Sequence, residues 1–190
     1  MNEKQGFCSW EVLERDILPG LIERRVEKMR VWSAGCAAGE EVYSLKIVWD
    51  RLKASHSRLP RLHITATDMN PLYLERANAG VYTSSSLKEV PDVFRSSYFI
   101  HRAGTKLHKI RASLKKDVLW QVGHLLSDQP DSQFDLIFLR NNLLTYYLDE
   151  FKKPALGKVI SHLIIGGFLI TGSHEKLPPN GLGIFPAGPL

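Results

Sequence analysis

Residues 31–45, with the sequence VWSAGCAAGEEVYSL, decide the fold. The stretch predicts a buried strand that ends at Ala34, a turn bracketed by Gly35 and Gly39, and a helix that begins at Glu40. A turn of this kind brings a ligand against bare backbone at the N-terminus of a helix. Because Glu40 and Glu41 open the helix, the turn would repel a phosphate and favour a ligand with hydroxyls, an amine or a positive charge.

The charge of this turn narrows the choice of ligand. S-adenosylmethionine has a sulfonium, an ammonium and a ribose diol, so the turn predicts it as the cofactor. The G-x-G-x-x-G pattern of dinucleotide-binding turns is absent, which disfavours NAD and FAD. The helix dipole alone favours a carboxylate at a helix N-terminus, so one of the two acids also has a purely structural explanation.

Strands and helices alternate along the rest of the chain. The hydrophobic pattern predicts strands at 29–34, 62–67, 117–122, 134–140 and 168–171, with a candidate last strand at 185–190, and helices at 10–27, 40–53, 71–78 and 149–163. This alternation implies an α/β fold, with a mostly parallel sheet and helices on both faces. We expect one domain over residues 1–190, in which residues 1–28 form a helical lead-in.

Capping and breaking residues set the predicted helix boundaries. Pro19 is expected to break or kink the first helix. Asn70 is expected to cap the third helix and Gly80 to end it. Asp149 is expected to cap the last helix, and Gly166-Gly167 to stop it.

A basic segment surrounds a predicted β-hairpin insert at 98–111, whose turn is Ala103-Gly104-Thr105. Its cations are Arg102, Lys106, Lys109, Arg111, Lys115 and Lys116, with His101 and His108 nearby. This basic segment has three interpretations: a solvated basic face, a docking surface for an acidic protein, or a nucleic-acid footprint. Nucleic acid is the least favoured, because aromatic residues are not interleaved with the cations.

The composition is that of an ordinary globular protein. The chain has 190 residues, 44% of them hydrophobic and 24% charged, with a formal net charge of +5. Cys8 and Cys36 lack metal-ligand spacing and predict reduced thiols, so no metal cofactor is expected. No apolar run reaches the roughly 20 residues that span a bilayer, and residues 1–10 lack a signal-peptide core. We therefore expect a cytoplasmic protein without membrane insertion.

Ligands of parallel sheets bind at the carboxyl ends of the strands. The candidates are therefore the residues that follow the predicted strands: Gly35, Asp68, Gly123-His124 and Arg140-Asn141. An acid placed like Asp68 accepts hydrogen bonds from ribose hydroxyls in dinucleotide folds, although a turn residue before Asn70 is an equal alternative. His174-Glu175 either lines the cleft or belongs to a solvated loop.

Five segments together resemble one family, the CheR-type chemotaxis receptor methyltransferases. They are WSAGCAAGEEVYS at 32–44, ATDMN at 66–70, ANAGVY at 77–82, FDLIFLRN at 134–141 and GGFLITGSHE at 166–175. One such segment is a weak signal, but five in the same order are highly specific. The resemblance covers residues 17–175 and implies a Rossmann-like class I methyltransferase fold that binds S-adenosylmethionine.

The resemblance also implies an activity and a set of site residues. Members of the family transfer a methyl group to glutamate side chains of receptors, which yields a glutamyl methyl ester and S-adenosylhomocysteine. On this mapping Asp68 contacts the ribose, His124-Leu125 reaches the adenine region, and Arg140-Asn141 lies beside the methionine portion. Tyr146 stands near the transferred methyl and is the candidate catalytic residue. The residues expected to bind the cofactor are Ser33, Ala34, Gly35, Cys36, Gly39, Glu41, Asp68, Met69, His124, Leu125, Arg140 and Asn141.

The chain also departs from the family pattern. The family has a Thr-x-Phe-Phe-Arg segment before this domain, whose arginine lies by the methyl donor, and residues 1–10 contain no such segment. His124 stands where the family has an asparagine. The chain therefore resembles a shortened or divergent member, with an acidic receptor or signalling protein as its expected partner. The alternatives are a catalytically weak signalling module that binds the cofactor, and a methyltransferase for a small molecule or, less favoured, RNA.

Overall fold

A five-stranded sheet organises the computed structural model, which describes residues 10–25, 27–172, 174–177 and 183–184. The strands are β1 (Lys28–Ala34), β2 (Arg61–Asp68), β6 (Val118–Val122), β7 (Phe134–Leu139) and β8 (Leu163–Thr171). Their order across the sheet is β6-β2-β1-β7-β8, and every neighbouring pair is parallel. The predicted α/β fold class is therefore confirmed.

Helices cover both faces of this sheet, because side chains alternate between the faces along each strand. Met29 and Val31 of β1 pack with α1 (Leu18–Arg24), α2 (Glu40–Leu52) and α3 (Pro71–Ala79) in one cluster. Trp32 and Ala34 point to the opposite face and pack with α6 (Asp149–Ser161) in a second cluster. The short helix α5 (Leu143–Tyr146) joins this second cluster through Leu143 and Leu144.

A second, antiparallel sheet stands beside α2 and contains the predicted hairpin. Its strands are β3 (Val81–Thr83), β4 (Phe99–His101) and β5 (Leu107–Ile110), in the order β3-β5-β4, and the helix α4 (Asp92–Tyr98) precedes β4. Tyr82, Phe99 and Ile110 of this sheet pack against Tyr43 and Ile47 of α2. The strand β3 was not predicted, because a three-residue strand carries no period of its own and forms only by pairing with β5.

The N-terminal helical segment differs from its prediction at Pro19. The chain stays helical from Trp10 to Arg24, with a π-helical turn at Leu13–Ile17 directly before α1. Pro19 lies in the first turn of α1, where the missing N–H of proline is tolerated. The wider π-helical turn before Pro19 accommodates the proline within the helical segment, so the expected break does not occur.

The last helix and strand also have different boundaries from those predicted. Asp149 is the first residue of α6 rather than its cap, because Leu148 has the extended backbone of the N-cap position. The helix ends at Ser161, and Gly166-Gly167 does not stop it but lies inside β8. There the register with β7 shifts between Phe134 and Leu136, and Gly166 has a left-handed φ of 75°, which glycine allows. The candidate strand at 185–190 lies outside the described residues.

Candidate functional site

The carboxyl ends of β1 and β2 are joined by a hydrogen-bonded turn. The backbone N–H groups of Gly35 and Cys36 both donate to the carbonyl of Thr67, over 2.8 and 2.9 Å. The carboxylate of Asp68 accepts from the backbone N–H groups of Ala37 and Asn70, each over 2.9 Å. Asp68 therefore shapes the turn as well as facing it. Each of its oxygens keeps a second lone pair for a ligand hydroxyl.

Two glycines of this turn are required by their surroundings. Gly35 and Gly39 have left-handed φ angles of 78° and 82°. A Cβ on Gly35 would overlap the side-chain amide of Asn142, which lies over the turn. A Cβ on Gly39 would lie 2.9 Å from both Ala77 and Trp120. The turn thus combines a conformation that suits glycine with a close approach that only glycine permits.

A partly buried charge network lies at the start of α2. Glu41 accepts a hydrogen bond from the Ser33 hydroxyl over 3.1 Å, and it pairs with Arg140 over 3.5 Å. Burial raises the pKa of Glu41 to about 7, because desolvation outweighs the opposing attraction of Arg140. The carboxyl is therefore poised to change its charge near neutral pH. Burial also raises the pKa of the Cys36 thiol to about 12, so Cys36 is not a nucleophile here.

These groups border a cavity of about 330 Å³. It is lined by Trp10, Gly35, Cys36, Ala37, Glu40, Glu41, Ser44, Arg140 and Asn141. Trp10 stacks on Phe138 with ring centroids 5.6 Å apart, and the guanidinium of Arg140 lies 5.9 Å from the Trp10 ring. Sequence reasoning placed Trp10 only on a helix. No pattern in the sequence around Trp10 indicates this position, which depends on the packing of the helix against Phe138 of β7.

The chemistry of this cavity fits S-adenosylmethionine. The buried Nε of Arg140 has no hydrogen-bond partner among the described residues, and it is a donor suited to the carboxylate of an amino acid. Glu41 and Glu40 supply negative charge for an ammonium and a sulfonium. Asp68, which ends β2 and accepts a hydrogen bond from this turn, supplies acceptors for ribose hydroxyls. The cavity, the glycine turn and the acids are thus complementary to the separate parts of one zwitterionic nucleoside.

The other predicted site residues are less closely grouped. Ser33 and Ala34 are buried at the end of β1, and Met69 is exposed directly after β2. His124 follows β6 at the same edge of the sheet, where its Nδ1 accepts from Leu126, and the adjacent Leu125 is buried. Tyr146 is 77% exposed and does not line the cavity. The assignment of each predicted site residue, Tyr146 included, remains a prediction.

A second concavity, of about 340 Å³, lies at the amino ends of β1 and β2. Lys28, Arg30 and His63 line it. Ligands of parallel sheets bind at the opposite edge, so this concavity is not the cofactor site. Among the residues that the structure describes, no group of three or more potential metal ligands occurs, and no helix is long and apolar enough to cross a membrane.

The fold and the cleft together define a Rossmann-like domain of the class that binds S-adenosylmethionine. The model of the family "CheR methyltransferase, SAM binding domain" matches residues 6–185, so the chain belongs to this family. The sequence-based assignments of family and cofactor are thereby confirmed.

Several curated relatives are named chemotaxis protein methyltransferases. A chemotaxis protein methyltransferase of Listeria innocua is 37% identical over 168 residues, and chemotaxis protein methyltransferase 1 of Pseudomonas aeruginosa is 30% identical over 172 residues. Each alignment covers 88% of this chain and 62% of the relative, so the chain spans about three fifths of the relatives' length. The crystal structure of the S-adenosylmethionine-dependent methyltransferase SibL superposes with a TM-score of 0.50 and 16% identity. This likeness covers 86% of the chain and 35% of SibL, and it supports the fold.

Proposed function

We propose that the protein is an S-adenosylmethionine-dependent methyltransferase that methylates glutamate side chains of a receptor or signalling protein. The products would be a glutamyl methyl ester and S-adenosylhomocysteine. The observation that carries the proposal is the cavity beside Gly35, in which acidic side chains and one incompletely paired arginine converge. Membership of the CheR family and the names of the relatives support the same reaction.

The chain's own residues would bind and align rather than exchange protons. The bound cofactor supplies a methyl group that its sulfonium already activates. Glu41 and Arg140 hold charge at one end of the cavity, and Trp10 excludes water from one wall. Asp68 offers acceptors at the end of β2, beside the glycine turn. A glutamate acceptor is ionised at neutral pH and needs no general base. Alignment of two reacting groups in a dry cleft is therefore the main demand on the protein.

The three-stranded sheet is the proposed docking surface for an acidic receptor segment. Arg102, Lys106, Lys109 and Arg111 are exposed on or beside its strands. Their positive charge would attract a carboxylate-rich partner and would raise the rate of encounter at low salt.

The proposal is tested in two stages with the whole chain. Titration calorimetry with S-adenosylhomocysteine should show one site, which Asp68→Ala weakens and Glu75→Ala, an exposed acid on α3, leaves unchanged. Tritiated S-adenosylmethionine should then label a purified chemoreceptor cytoplasmic domain, with label that base releases as methanol. Binding without any transfer would favour the signalling module instead, and an absence of binding would refute both readings.

A further inference from the structure

Glu175, which follows β8, holds three donors with one carboxylate. One oxygen accepts from the backbone N–H of Gly172 over 2.6 Å and from the backbone N–H of Asn141 over 3.0 Å. The other oxygen accepts from the Thr145 hydroxyl over 2.7 Å. Gly172 precedes Glu175 at the end of β8, whereas Asn141 and Thr145 belong to the connection after β7. The carboxylate therefore ties together the ends of two adjacent strands.

The tied segment, residues 140–146, forms one wall of the cofactor cleft. Arg140 and Asn141 line the cavity, and the Asn142 amide lies over Gly35. Asn141 has a left-handed φ of 50°, which costs free energy in a residue other than glycine. The helix α5 at the end of the segment is four residues long, and no side chain among the described residues caps its N-terminus. The segment thus depends on contacts from outside itself to keep its conformation.

The groups around this tie are packed closely enough to fix the position of the Glu175 carboxylate. A Cβ on Gly172 would lie 2.8 Å from both the Asn141 side-chain oxygen and the Glu175 carboxylate. Glu175 is also close enough to Glu41 for its charge to be felt there, since it adds to the effect of burial on the pKa of Glu41. A displacement of Glu175 would therefore shift Asn141, which it contacts, and the adjacent Arg140, and both residues line the cavity.

We propose that Glu175 is a positioning residue for methyl transfer, which fixes residues 140–146 against the end of β8 and thereby sets the wall of the cleft that carries Arg140 and Asn141. This inference rests on the proposed function and adds a residue to it. The role is geometric. The carboxylate supplies three acceptor positions in a fixed arrangement, and the rest of the cofactor site, at Asp68 and the glycine turn, is held by other hydrogen bonds.

The comparison of Glu175→Ala with Glu175→Gln tests the geometric role. A glutamine keeps an oxygen for both backbone donors, and its amide can donate to the Thr145 hydroxyl, so Glu175→Gln should stay within about threefold of the wild type in every measurement. Glu175→Ala removes both oxygens and with them all three hydrogen bonds. Because a misplacement of about 1 Å at a reacting centre can cost roughly 100-fold, we expect its kcat to fall about 30- to 100-fold. The KM for S-adenosylmethionine and the Kd for S-adenosylhomocysteine should rise by a smaller factor than kcat falls, since Arg140 shifts with the wall whereas Asp68 and the glycine turn remain. The control Glu150→Ala removes an exposed carboxylate of α6 and should change none of these.

Hydrogen exchange separates this inference from the proposed function. The peptide of residues 140–147 should exchange faster in Glu175→Ala than in Glu175→Gln or the wild type, whether or not methyl transfer occurs. Unchanged exchange in Glu175→Ala would overturn the inference, as would faster exchange with undiminished kcat. A Glu175→Gln variant as impaired as Glu175→Ala would show that charge rather than geometry matters, which also overturns it. The wild type could also fail to methylate the chemoreceptor domain while residues 140–147 still exchange faster in Glu175→Ala. This result would refute the proposed function and leave Glu175 only the role of holding the segment.

Discussion

The affinity of the cleft for its cofactor should depend on pH through Glu41. Burial raises the pKa of this carboxyl to about 7, although Arg140 lies 3.5 Å away and Ser33 donates a hydrogen bond to it. The amino-acid portion of S-adenosylhomocysteine carries an ammonium, which attracts the ionised carboxylate and not the neutral acid. Binding should therefore release a proton from Glu41 at pH values below its pKa.

The size of the effect follows from the fraction of Glu41 that is ionised. At about pH 5.5 a carboxyl with a pKa of about 7 is ionised in roughly 3% of molecules, whereas at about pH 8.5 it is almost fully ionised. The Kd for S-adenosylhomocysteine should accordingly fall about 30-fold between these two pH values. Below the pKa the logarithm of Kd should change by about one for each pH unit.

Titration calorimetry over this pH range, in buffers of different ionisation enthalpy, measures both the affinity and the protons released. The variant Glu41→Gln is the matched control, because it keeps the shape of the side chain and cannot titrate. It should bind weakly with a nearly flat pH profile. An equally steep profile in Glu41→Gln, or a flat profile in the wild type, would refute the assignment of the titration to Glu41.

Three further predictions concern stability and binding. Glu41→Gln should raise the free energy of unfolding by about 2–3 kcal/mol at about pH 8.5 and leave it unchanged at about pH 4, as measured by urea denaturation. Because the pKa of Glu41 is higher in the folded state, its contribution to stability is complete below pH 4.5, the unfolded pKa, and is lost as the pH rises through about 7. Asp135→Ala should cost about 3 kcal/mol in the same assay, because the buried carboxylate pairs with Arg25 and accepts from the backbone N–H of Arg30, and an unchanged midpoint would contradict this. Asp68→Ala should weaken the binding of S-adenosylhomocysteine by about 1.5–3 kcal/mol in calorimetry, which is the scale of hydrogen bonds to a charged group. A loss of binding free energy below a few tenths of a kcal/mol would exclude contact with the ribose.

The sheet was predictable because its signals are local. Val31 and its neighbours form a continuous apolar run, and the next strand ends in Asp68-Met69-Asn70-Pro71, where an asparagine cap and a proline start a helix as predicted. The Asn70 side chain does accept from the Leu72 N–H, over 3.0 Å. The errors fall where distant pairing decides. Gly166-Gly167 has the pattern of a helix stop, but its register with β7 places it inside a strand.

The cleft was predictable only in part, for the same reason. Asp68 was found because it follows a predicted strand, and the carboxyl ends of parallel strands meet at one edge of the sheet. Glu41 was found because it opens the helix directly after the glycine turn. Trp10 reaches the cavity through the packing of the N-terminal helix on Phe138, and no pattern around Trp10 encodes that contact. The tie between Glu175 and Asn141 joins residues 34 positions apart, so it appears only when β7 and β8 are placed side by side.

The local irregularities of the fold point to the same cleft without any reference to family. Three described residues other than glycine have a positive φ, and two of them, Ala37 and Asn141, line the cavity. The same cavity holds the unpartnered Nε of Arg140 and the Glu41 carboxyl with its raised pKa. Each of these features costs stability, and packing alone would favour replacing them. Their convergence at the carboxyl edge of the sheet is accounted for by selection for a polar, charged ligand, because such a ligand satisfies the donor and balances the acids.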